Sequence, residues 1–98
     1  MLFRHAHRNW QRIDEEAGYT GGFADNIVRA FRMRMQAIRA AKDERDLRAL
    51  KSLRFEKLKG SRKHQYSMRL NQKFRLIFEI EKEKQGNRIV IVGIEDYH

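Results

Sequence analysis

Ninety-eight residues with no cysteine and no proline make one domain, built on a single core without disulfides or thiolate-bound metal. Twenty-two Lys and Arg against 13 Asp and Glu give a net charge of +9, which favours a polyanionic partner such as nucleic acid or an acidic protein. Nothing approaches the ~20 apolar residues of a membrane span, and MLFRHAHRNWQRIDEE holds no apolar run of signal-peptide length, so the expectation is a cytoplasmic protein with no membrane partner.

In chain order, Leu2 and Phe3 are candidates for a short edge strand. A first helix is expected over 9–16, broken by Gly21 and Gly22. In ADNIVRAFRMRMQAIRAAKD, the residues Ile27, Phe31, Met35 and Ile38 recur at helical spacing with Val28 beside them, the stripe of an amphipathic helix. Thr20 or Asp25 is the candidate cap. Arg29, Arg32 and Arg39 lie off the stripe and suit either a solvated face or RNA contact. DERDLRAL predicts one more short helical turn with Leu47 and Leu50 inward. His5 and His7 alternate, but two histidines without a third ligand do not make a metal site, and none is assigned. Trp10 and Phe23 read as packing residues.

From Phe55 the period becomes two. Phe74, Leu76, Phe78 and Ile80 face one side of a strand, with Arg75, Ile77 and Glu79 on the other. Strands over 66–70 and 74–81 are linked by Asn71, Gln72 and Lys73, and EKEKQGN makes the next turn around Gly86. Arg88-Ile89-Val90-Ile91-Val92 is an unbroken run, typical of a strand covered on both faces. It leads directly into GIEDYH, so the last side chains extend from an anchored strand. Helices first and antiparallel strands after predict an α+β fold, with N-terminal helices packed on a small curved antiparallel sheet of three to five strands.

The charge is concentrated. Residues 54–75 hold eight basic side chains and one acid, Glu56, or +7 of the total +9. Such a region is a stronger hint of phosphate contact than the net figure. Within it, His64 reads as a loop histidine near phosphate or in solvent.

LRFEKLKGSRKHQYSMRLNQKFRLIFEIE followed by IVIVGIEDYH resembles HigB-type toxins, the plasmid maintenance killer proteins of the RelE/ParE superfamily. The shared pattern is Leu58-Lys59-Gly60, Gln65-Tyr66-Ser67, Phe74-Arg75-Leu76-Ile77-Phe78 and the closing Glu95-Asp96-Tyr97-His98. It covers about residues 43–98. The resemblance implies a RelE-like fold and the toxin of a type II toxin–antitoxin pair, neutralised by a helix-turn-helix, HigA-like antitoxin through which alone it would reach operator DNA. It also implies a ribosome-dependent mRNA endonuclease that needs no cofactor and no metal. The ParE-like branch, which inhibits DNA gyrase without cutting, supplies a non-catalytic alternative, and a weakened ribosome-binding toxin is a third.

By the same resemblance, Lys59, Arg75, Asp96, Tyr97 and His98 match the catalytic positions. Arg75 can fork two donors onto phosphate oxygens, and His98 is the group whose ordinary pKa suits acid or base work near neutrality. Arg62, Lys63, Arg69 and Lys73 are the expected RNA-binding cations. Glu56 departs from the pattern, standing where several HigB proteins have a histidine. It is read either as a base or as a salt-bridge partner for Lys57 or Arg54.

Overall fold

The structure, a computed structural model, describes residues 1–96. Strand β1 (Leu2–His5) is followed by helices α1 (Arg8–Glu15), α2 (Asp25–Ala40) and α3 (Glu44–Ala49). Strands β2 (Glu56–Lys57), β3 (Gln65–Arg69), β4 (Phe74–Glu83) and β5 (Gly86–Asp96) complete a five-stranded sheet in the order β1-β5-β4-β3-β2. The fold is α+β, as the order of apolar periods predicts.

One face of the sheet receives the helices. Ile27, Val28, Phe31, Met35 and Ile38 of α2 are buried against Met68, Leu76, Phe78, Ile89 and Ile91, together with the fully buried Ile13 of α1 and Leu47 of α3. Period 3.6 on one side meets period 2 on the other, so both apolar stripes leave water together. Gly21 adopts φ +63°, and a Cβ there would lie 2.8 Å from Ile13 Cδ1. This left-handed turn lies beyond the end of α1 at Glu15 and brings the chain close against Ile13.

Three expectations need correction. The sheet is mixed, because β1 runs parallel to β5, with Leu2 opposite Arg88 and His5 opposite Ile91. The two strands are separated by the whole helical layer, so the crossover rather than a hairpin sets their direction. Leu50 is 49% exposed, since α3 ends at Ala49 and the chain turns there. Neither Thr20 nor Asp25 caps α2; the N-cap is Ala24, and Thr20 Oγ1 accepts from Gly22 N–H instead.

The off-stripe arginines are mostly structural ties. Arg32 donates to the carbonyls of Ile13, Glu16, Ala17 and Tyr19, closing the C-terminal end of α1 with a charge that suits that helix pole. Arg39 donates to the carboxylate of Asp14, whose side chain is only 1% exposed and also meets His5 Nε2 at 3.0 Å. His5 is thereby engaged in the fold, and His7 sits exposed before α1. Trp10 and Phe23 do pack against the core.

Candidate nucleic-acid interface

The face of the sheet opposite the helices carries the charge. The hairpin between β3 and β4 turns at Asn71, whose Oδ1 accepts from the N–H groups of Lys73 (2.8 Å) and Phe74 (2.7 Å). This side-chain turn locks the register. Arg69 stands opposite Arg75, Ser67 opposite Ile77 and Gln65 opposite Glu79. On the next strand Glu95 stands opposite Arg75, and Asp96 opposite Phe74. Like charges directly opposite one another destabilise a ladder, so the Arg69–Arg75 pair needs negative charge nearby.

Part of that charge is internal. Glu56 Oε2 lies 3.3 Å from Arg75 Nη2, and Arg75 Nη1 donates to the Arg54 carbonyl at 3.4 Å. The partner of Glu56 is therefore Arg75, not Lys57 or Arg54. The Arg75 side chain is 6% exposed, whereas Glu56 is 46% exposed. Arg75 occupies the expected face, but it is laid down under its neighbours rather than solvated.

Arg54, Arg69 and Arg75 surround a cavity of about 210 Å³ together with Asn71 and Gln72. Arg54 takes the left-handed conformation, φ 47° and ψ 57°, alone among the non-glycine residues described. Such a backbone costs of order 1 kcal/mol, and it persists where surrounding contacts over-determine it. Arg34 of α2 reaches the same end of the sheet and donates to the Arg69 carbonyl at 2.7 Å. Burial, and then the charge of Arg69, push its guanidinium below its ordinary value. Neither Arg54 nor Arg69 pairs with a carboxylate among the described residues.

The other predicted cations divide. Arg62 grips Glu95 with two bonds of 2.8 and 2.7 Å and donates to Gln65 Oε1, which ties the loop after β2 across the face to β5. The hydrogen bond to Glu95 raises Arg62 further above its ordinary value. Lys73 lies 3.7 Å from Asp96. Lys59 and Lys63 are exposed on either side of the short 3₁₀ turn Gly60–Arg62. His64 lies 3.8 Å from Glu79. Because Arg62 fastens this turn to Glu95, the register partner of Arg75, the Lys59 loop and the Arg75 row are joined. Tyr97 and His98 lie outside the described residues; β5 carries the chain to Asp96 beside Phe74.

Arg54, Asn71, Gln72 and Glu95 were not singled out from the sequence as site residues. A hairpin centred on residue 72 places 69 opposite 75, so the arginine pair was legible in the spacing once the turn was located. Arg54 was not, since nothing local indicates that β2 falls beside β3.

A family model for the RelE-like toxin of the type II toxin–antitoxin system HigB matches residues 4–98. The chain belongs to the HigB-like toxin family. It is thus a toxin of a type II toxin–antitoxin system, a class whose partner is a protein antitoxin. Among solved structures, a YoeB/ParE toxin from Agrobacterium tumefaciens superposes with a TM-score of 0.57 at 14% identity, over 100% of both chains. That likeness is one of fold. No curated protein gives a significant sequence match. No described helix is long and apolar enough to cross a membrane, and among the described residues no group of three or more His, Cys, Asp and Glu could hold a metal ion.

Proposed function

We propose that this HigB-like toxin is a ribosome-dependent mRNA endonuclease that arrests translation, acting from the outer face of its sheet without a metal. The observation that carries this reading is the row Glu95–Arg75–Arg69, which crosses β5, β4 and β3 beside the strand end that carries Asp96. Three arginines around one cavity, next to exposed lysines, suit an anionic backbone better than an apolar or neutral substrate.

The chemistry uses the RNA's own 2′-OH. Its oxygen attacks the adjacent phosphorus in line, the bond to the 5′-oxygen of the next nucleotide breaks, and a 2′,3′-cyclic phosphate remains. The 2′-OH proton passes to a base, and the leaving 5′-oxygen takes a proton from an acid. Arg75 and Lys59 stabilise the added charge on the phosphoryl oxygens. Arg75 suits this task because it is held by Glu56 and the Arg54 carbonyl and needs little reordering. In this reading Tyr97 and His98 supply stacking and proton transfer, with Asp96 orienting them. Glu56 holds Arg75 and is not the base. Arg62, Lys63, Arg69 and Lys73 hold the RNA by its phosphates, with the antitoxin covering this face and the complex working in the cytoplasm.

The test is to map messenger 5′ ends after induction of wild type, Arg75→Ala and a variant lacking His98. New ends in wild type alone support the nuclease. A DNA-damage response with no new ends supports gyrase inhibition, and growth arrest unaltered in both variants removes these residues from the mechanism.

A further inference from the structure

A cavity of about 210 Å³ is lined by Arg54, Arg69, Asn71 and Gln72 together with Arg75. We infer that it is a second phosphate subsite, holding the backbone phosphate adjacent to the one cleaved; this rests on the nuclease reading above.

Four observations support it. Arg54 and Arg69 have no carboxylate partner among the described residues, although Arg69 faces Arg75 across the ladder and Arg34 stands behind it. Cations gathered on one face repel, and the single negative charge of a backbone phosphodiester relieves that repulsion at Arg54 and Arg69. The Arg54 backbone is left-handed at the cavity rim, the kind of local strain that sits at binding sites. The lining contains three guanidiniums and two amide side chains and no aromatic ring, so it offers forked donors to phosphate and no platform for a base. Finally, Arg75 lines the cavity and also pairs with Glu56, so the cavity adjoins the guanidinium assigned to the cleaved phosphate. Adjacent strands lie about 5 Å apart, and the step from β4 towards β2 carries an RNA backbone from Arg75 to Arg69 and Arg54.

The experiment is a scan of a ten-nucleotide single-stranded RNA carrying one neutral methylphosphonate linkage at a time, bound to the purified full chain and read by fluorescence anisotropy. The subsite predicts that two neighbouring linkages each weaken binding, one of them by about tenfold through the loss of charge-assisted hydrogen bonds at the cavity. That effect vanishes in Arg69→Gln and in Arg54→Gly, a variant that keeps the left-handed backbone free of strain. The other linkage stays sensitive in both variants and loses its effect in Arg75→Ala. Arg45→Gln, on α3, paired with Asp43 and outside the cavity lining, leaves the whole scan unchanged. Tight RNA binding in which no linkage depends on Arg54 or Arg69 overturns the subsite and leaves the nuclease reading standing. Failure of the wild-type chain to bind any RNA overturns the subsite, whereas the ribosome-dependent nuclease stands or falls on the mapped messenger 5′ ends. If Arg54→Gly and Arg69→Gln weaken only the antitoxin complex, the cavity is a seat for an antitoxin carboxylate and the phosphate assignment is wrong.

Discussion

Replacing Glu56 by glutamine removes a full negative charge 3.3 Å from Arg75 Nη2 while preserving the size of the side chain. In bulk water, opposite unit charges at that distance attract by about 1.3 kcal/mol. The Glu56 side chain is 46% exposed, so the high-dielectric value is the relevant one, and exposed pairs measure about 0.2–1 kcal/mol. Folding therefore loses under about 1 kcal/mol, particularly as the glutamine oxygen still accepts a bond from Arg75. RNA binding gains, because phosphate approaching Arg75 no longer competes with a carboxylate. A relief of about 1 kcal/mol corresponds to roughly fivefold tighter binding. Anisotropy with a labelled RNA at fixed salt measures this directly, and cleavage on programmed ribosomes should rise in parallel. If Glu56→Gln binds RNA as well as or better than wild type but cuts ten or more times more slowly, Glu56 is the base and its assignment as the holder of Arg75 fails. Weaker binding would refute the competition itself.

Arg32→Ala removes four bonds to the carbonyls that end α1; thermal unfolding should show a loss of about 2 kcal/mol, with RNA affinity unchanged. Gly93→Ala places a Cβ 3.0 Å from Trp10 Cζ2; overpacking of this kind costs about 1–3 kcal/mol, and a shift in the emission of the single tryptophan reports it. Acid titration tests the Arg4–Glu81 pair. A hydrogen bond from Arg4 holds the Glu81 carboxyl below its ordinary range, so its contribution is present above the unfolded value near pH ~4.3 and is lost as pH falls through the lower folded value. The stability difference between wild type and Arg4→Gln should be constant above that pH and close below it, as seen by denaturant melts across the range.

Much of the architecture was legible in the chain. The stripe Ile27, Phe31, Met35, Ile38 and the alternation from Phe74 to Ile80 were each sufficient to assign an element and its buried face, because periodicity is a local property. The same alternation put Arg75 on the face away from the helices. The exposure of Leu50 and the parallel pairing of β1 were not legible, since both follow from where distant segments dock. Arg32 and Arg39 looked like surface charge because their partners, the carbonyls of the α1 end and Asp14, lie many residues away.

The division has a simple physical basis. Composition and spacing by themselves determined the fold class, the core faces and the concentration of positive charge over residues 54–75. Only the tertiary structure decided which charges meet: that Glu56 holds Arg75, that Arg62 is clasped by Glu95, and that Arg54 and Arg69 close a cavity with Arg75. Hydrophobic patterning acts through every residue of an element at once, whereas an ion pair depends on the register between strands that the sequence brings together only after folding.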